Sequence, residues 1–161
     1  VIAEPLVRAL EERGLGLAIA ESLTGGALSS AVVEVPGASA VYRGAVVSYA
    51  TDLKHRLLGV DDTLLAEHGP VHPEVALQMA RGVASRLGAE GVRTVGVATT
   101  GVAGPDPQGG AAVGTVFVAA VLGDDERVLE LRLNGGRAEI RAASVEAALE
   151  AARELVTTAQ L

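Results

Sequence analysis

The chain has 161 residues, 49% of them hydrophobic and only 2% aromatic, which is enough for one domain, residues 1–161, with a core of Val, Leu, Ile and Ala. It lacks cysteine, which excludes disulfides, thiolate metal sites and a cysteine nucleophile. It also lacks both an apolar run near the ~18 residues that span a bilayer and a signal-peptide pattern, so the expectation is a cytoplasmic protein with no membrane partner. Its net charge of −7, with no basic cluster, argues against nucleic acid as a partner.

Apolar spacing predicts a first helix over 2–13, stopped at Gly14. Leu17, Ala18, Ile19 and Ala20 then read as a buried strand, and a helix is expected from Thr24 to Glu34, ending before Pro36-Gly37. Ser22 falls in the turn between them. There a side chain sits at the carboxyl end of a strand, beside the free N–H groups of a helix start, a place suited to a nucleophile or an anion. Gly25 and Gly26 would let a ligand approach the backbone closely. The competing reading is that Ser22 or Thr24 only caps the helix.

Val41 to Tyr49 reads as a second strand, whose Ala45-Val46-Val47 run suggests cover on both faces, with Gly44 as a candidate bulge. Helices follow at Thr51–Leu58, from Asp61-Asp62 to His68, and at Pro73–Leu87, the last capped by His72 or a neighbour. Val92 to Thr99 is a third strand that enters a glycine-rich loop, residues 99–110, of the kind that contacts ligands. Strands at Gly114–Val121 and Arg127–Leu133 form an expected hairpin through Gly123-Asp124, and Gly135-Gly136 opens a helix over Arg137–Val156. Early alternation with a late hairpin predicts a mixed sheet with helices on both faces. In such a sheet ligands bind at the carboxyl ends of the strands, where Ser22, Tyr49 and Thr100 converge.

Twelve of the 13 basic residues are arginines, and Lys54 is the only lysine. Either this is an accident of composition, or it marks a position where only an amine, able to lose its proton near neutral pH, will serve. Lys54 lies in the first turns of its helix, where the macrodipole opposes positive charge. Tyr49 reads either as a neighbour orienting Lys54 or as a core-anchoring aromatic. Arg137 and Arg141, one turn apart, share a helix face and could grip a phosphate together, although solvated surface arginines are the commoner case. The three histidines fall in loops or at helix ends and receive no catalytic role, and no metal set is apparent.

The segments A-E-S-L-T-G-G, V-P-G-A-S, V-V-S-Y-A-T-D-L-K, L-L-G-V, H-G-P-V, T-G-V-A-G-P, V-G-T-V and G-G-R-A-E-I-R resemble, in order and spacing, the CinA C-terminal domain family, which includes nicotinamide mononucleotide amidohydrolases. The resemblance implies a three-layer α/β/α sandwich with a mixed, mostly parallel sheet. It also implies hydrolysis of the carboxamide of nicotinamide mononucleotide to nicotinate mononucleotide and ammonia, in pyridine nucleotide recycling, with neither metal nor other cofactor. By position it makes Ser22 the nucleophile and Lys54 the general base, with Tyr49 and Ser39 as supporting polar groups. Thr24, Gly25 and Gly26 would shape the turn and the oxyanion or phosphate contacts. Thr100, Gly101 and Ala103 would line the nucleotide pocket, and Arg137 or Arg141 would contact phosphate or ribose. Self-association into a homo-oligomer is expected.

The chain departs from the family pattern at Leu23, at Ala50-Thr51, at His72, at Ala111-Ala112, where a Lys-Pro pair is usual, and at Gly136. The departures at Ala111-Ala112 and His72 motivate a second reading of another class: a catalytically silent nucleotide-binding or protein-interaction module. Nucleotide binding without turnover would distinguish it. A role in DNA competence, which the family name suggests, is not supported by the acidic charge.

Overall fold

The computed structural model describes residues 1–161 throughout. The elements are α1 (Glu4–Arg13), β1 (Gly16–Glu21), α2 (Ala27–Val33), β2 (Tyr42–Val47), α3 (Thr51–Leu58), α4 (Asp62–His68), α5 (Pro73–Leu87), β3 (Thr94–Gly101), β4 (Thr115–Leu122), β5 (Asp125–Arg132) and α6 (Arg137–Thr158). The sheet order is β2-β1-β3-β4-β5. β1 pairs in parallel with both neighbours, and β4 runs antiparallel to β3 and β5, so only β4 is reversed.

Strand alternation divides the core into two layers. Leu17 and Ile19 of β1, and Val116 and Val118 of β4, face α1, α2 and α6. Ala18 and Ala20 of β1, and Phe117, Ala119 and Val121 of β4, face α3, α4 and α5. The fold is therefore an α/β/α sandwich. Where α5 crosses β1 and β3 the sheet face is built from small residues, Ala18, Ala20, Gly96 and Ala98, and Gly96 shows why: a β-carbon there would lie 2.0 Å from the Ala80 carbonyl oxygen of α5. No helix is long and apolar enough to cross a membrane.

Several boundaries differ from expectation for identifiable reasons. α2 begins at Ala27 rather than Thr24, because Gly25 and Gly26 adopt φ of 57° and 100°, which keeps residues 22–26 in a turn. The bulge falls where Gly44 suggested it: the register against β1 passes from Tyr42 straight to Gly44, leaving Arg43 as the extra residue. The apolar run of β2 is not covered on both sides. β2 is an edge strand, and Val47 is 44% exposed. β3 runs on to Gly101, and the β4–β5 hairpin turns through Gly123 and Asp124 as expected. The His72 ring Nδ1 accepts the Glu74 N–H (3.1 Å), so His72 is the cap of α5.

Candidate functional site

The parallel strands β1, β2 and β3 end at the same edge of the sheet, and each delivers polar groups there. Ser22 follows β1 and is 8% exposed. Ser48 and Tyr49 follow β2, and Thr100 and Gly101 complete β3. Lys54, the fourth residue of α3, is brought over Ser22 by the short connection from β2. Its Nζ donates to Ser22 Oγ (2.9 Å), to the Ser48 carbonyl (2.6 Å) and, more weakly, to the Tyr49 carbonyl (3.5 Å).

Lys54 is 1% exposed, and no carboxylate is among its partners. Burial alone lowers its pKa from 10.5 to about 8, because desolvation penalises the ammonium more than the amine. With two backbone carbonyls as acceptors, the proton surrendered is the one facing Ser22. Its loss leaves a lone pair aimed at the serine hydroxyl. The Ser48 hydroxyl close by is buried without a partner.

The turn that carries Ser22 is fixed from several sides. Gly25 N–H donates to the Ser22 carbonyl (3.1 Å), closing a four-residue turn. The Thr24 and Thr99 hydroxyls share a hydrogen bond (2.8 Å), and Thr99 Oγ1 also accepts weakly from Ser22 N–H (3.4 Å). Arg141 of α6 donates from Nε to the Leu23 carbonyl and from Nη2 to the Thr24 carbonyl, each at 2.9 Å. Glu21, fully buried, accepts from the amides of Leu28 (2.9 Å) and Ser29 (3.1 Å). The first donors of α2 are thus occupied by a side chain of the protein. The amides of the turn itself, Leu23 and Thr24, find no acceptor within the chain, nor does that of Ala103 across the cleft.

Ser22 and Lys54 lie at the base of an open cleft. Its wall brings together seven of the residues singled out from the sequence: Ser22, Lys54, Tyr49, Thr100, Gly101, Ala103 and Arg137. Thr100 Oγ1 donates to the Pro70 carbonyl (2.7 Å), drawing the segment before α5 into another wall. Arg137, at the first turn of α6, donates to the Gly104 carbonyl (2.5 Å) and to the Tyr49 hydroxyl (3.2 Å), so the two side chains meet at the rim. Tyr49 is 62% exposed and therefore does not anchor the core.

The remaining expected residues lie elsewhere. Thr24, Gly25, Gly26 and Arg141 are absent from the cleft wall and build the turn behind Ser22. Arg141 is committed to two backbone carbonyls and does not share the rim with Arg137. Ser39 is exposed in the short 3-10 turn Ala38–Ala40 before β2. A residue preceding a strand parallel to β1 sits at the opposite end of the sheet from one that follows β1, so Ser39 does not reach Ser22.

Sequence reasoning missed Glu21, Thr99, Asp106 and Gln108. Asp106 and Gln108 border the cleft from the loop after β3. Glu21 had a detectable signal: a lone acid ending an apolar strand, before a helix whose Gly26 cap has no side chain to offer.

Residues 1–156 match the CinA C-terminal domain. A CinA-like protein of Frankia casuarinae is 48% identical over 91% of this chain and 33% of its own length. A putative competence-damage inducible protein of Halalkalibacterium halodurans is 43% identical over 87% of the chain and 33% of its own length. The chain thus spans about a third of the length of these curated relatives. Two solved structures superpose over nearly all of it. One is a competence/damage inducible protein of Agrobacterium tumefaciens, with a TM-score of 0.89 at 36% identity, covering 96% of this chain and 93% of the other. The second is the competence damage-inducible protein A of Klebsiella pneumoniae, with a TM-score of 0.91 at 29% identity, covering 99% and 97%. By sequence match and by fold, this chain belongs to the CinA C-terminal domain family.

Proposed function

We propose that the chain hydrolyses the carboxamide of nicotinamide mononucleotide, giving nicotinate mononucleotide and ammonia through a Ser22/Lys54 mechanism. The observation that carries the reading is the buried Lys54 amine, 2.9 Å from Ser22 Oγ and without a carboxylate partner. An amide is a poor electrophile and a serine hydroxyl barely ionises at neutral pH, so both an internal base and oxyanion donors are needed.

Neutral Lys54 takes the Ser22 proton as Oγ bonds to the carboxamide carbon, and the carbonyl oxygen becomes an oxyanion. The free amides of Leu23 and Ala103, residues that line the cleft, are the available donors to it. As the tetrahedral intermediate collapses, the C–N bond breaks, and the Lys54 ammonium returns a proton to the departing nitrogen, which leaves as ammonia. Water then attacks the Ser22 ester with Lys54 again as base, releasing the carboxylate and restoring the hydroxyl. At the rim, Arg137 donates only to a carbonyl and a phenol, so its charge is free to meet a phosphate. Tyr49 offers an aromatic face to the pyridinium ring.

The test is ammonia release from nicotinamide mononucleotide by the wild-type protein and by Ser22→Ala. Release is expected from the first and not from the second. Equal release by both would end the assignment of Ser22. Tight nucleotide binding without turnover in the wild type would identify the chain as a silent binding module.

A further inference from the structure

Arg141 carries an inference that rests on the reading above and deepens it. The arginine lies behind the Ser22 turn, not in the cleft, and its guanidinium bridges two consecutive carbonyls, those of Leu23 and Thr24, at 2.9 Å each. In a trans peptide the C=O and the following N–H point in opposite directions. Holding the Thr24 carbonyl towards Arg141 therefore turns the Gly25 N–H away from it, and that N–H donates to the Ser22 carbonyl (3.1 Å). The Ser22 carbonyl, drawn into the turn, sends the Leu23 N–H outward by the same rule. The Leu23 N–H has no acceptor in the protein, and Leu23 lines the cleft beside Ser22. Two peptide planes thus relay the position of one guanidinium to one free donor next to the nucleophile.

We propose that Arg141 is a positioning residue for catalysis: by clamping the Leu23 and Thr24 carbonyls, it aims the Leu23 amide at the oxyanion that forms on the carbon attacked by Ser22. Arg141 makes no contact with substrate and is not a phosphate ligand. A lysine cannot replace it, because a single ammonium does not present two parallel donors to two carbonyls in the way a guanidinium does. Gly25 suits the same arrangement. Its φ is +57°, a conformation that L side chains rarely adopt.

The experiment compares wild type, Arg141→Ala and Arg141→Lys in two assays, with circular dichroism and urea unfolding to identify folded variants. The first assay is steady-state ammonia release from nicotinamide mononucleotide. The second is the rate at which a fluorophosphonate labels Ser22, in which Oγ bonds to phosphorus, fluoride leaves and Lys54 takes the proton. A misdirected oxyanion donor is expected to lower kcat and the labelling rate by ~10²-fold or more. KM should stay within about threefold, and added guanidinium ion should restore part of the rate to Arg141→Ala, a response that general loosening of the fold does not give. If Arg141→Ala does not fold, Arg141→Lys, which keeps the charge and stem, is read alone and is expected to lose the same rate. A rise in KM with kcat unchanged would make Arg141 a substrate ligand and overturn the proposal, as would wild-type rates in both assays. If the wild type is labelled yet releases no ammonia, the substrate assignment fails while the labelling rates still decide the role of Arg141. If the wild type is not labelled either, both fall.

Discussion

The pKa of Lys54 makes a quantitative prediction about rate and stability together. With a value of about 8, about one amine in eleven is neutral at pH 7 and about ten in eleven at pH 9. If the neutral amine is the base, kcat/KM rises ~10-fold between those pH values and levels off above them. An ordinary lysine, at 10.5, would give a rise of ~100-fold over the same range with no plateau. The folded-state value lies below the unfolded one, so between about 8 and 10.5 the unfolded chain binds more protons. Stability therefore increases with pH through that window. Below it, burying the ammonium costs about 3 kcal/mol, since the shift is about 2.5 units at 1.36 kcal/mol each. Lys54→Met removes this dependence, so the wild type should gain about 3 kcal/mol relative to the variant between pH 8 and 10.5. The assays are kcat/KM from pH 6 to 10 and urea unfolding of both proteins at matched pH. A flat rate profile, or one still climbing tenfold per unit above pH 9, would refute the reasoning, as would a stability difference that does not move with pH.

Three further outcomes follow from the same geometry. Arg137→Ala is expected to raise KM for nicotinamide mononucleotide by ~10- to 100-fold, the equivalent of a charge-assisted hydrogen bond of 1.5–3 kcal/mol, while leaving KM for the phosphate-free nucleoside unchanged. An equal effect on both substrates would remove the phosphate assignment. Glu21→Gln turns a donor towards an amide that now donates to a carboxylate, so a loss of about 2–4 kcal/mol is expected in urea unfolding, against wild-type stability if the α2 start needs no acceptor. Gly96→Ala drives a β-carbon into the Ala80 carbonyl at 2.0 Å. It should lower the melting temperature by several degrees, as a loss of about 1–3 kcal/mol does.

The sequence made the scaffold legible because strand alternation and glycine punctuation are local signals. The Gly123-Asp124 hairpin, the Gly44 bulge and the His72 cap each depend on residues within a few positions of one another. The exposure of β2 was not legible, since an apolar run reads the same at an edge as at the centre, and strand order is decided by contacts far apart in the chain. The site divides in the same way. The Ser22 turn and the solitary lysine stand out in one dimension. The sorting of Arg137 to the rim and Arg141 to the turn does not, because both lie on one helical face and only the packing of α6 beside α2, which brings Arg141 to the turn before it, separates them. Ser39 shows the converse: a polar residue in a recognisable motif, placed by the parallel direction of β2 at the wrong end of the sheet.

The adjacency of Glu21 and Ser22 explains how a lysine keeps a lowered pKa beside a buried carboxylate. Side chains alternate along β1 and into the residue after it, so Leu17, Ile19 and Glu21 face α2 while Ala18, Ala20 and Ser22 face the layer that contains α3. The carboxylate is taken up by the amides of Leu28 and Ser29, and the hydroxyl meets the amine. A slip of one residue would exchange them. Lys54 would then pair with a carboxylate, its ammonium would be stabilised, and the base would be lost. The chemistry proposed for Ser22 thus depends on which face of the sheet each side chain takes at the end of β1, and the α2 amides hold Glu21 to its side.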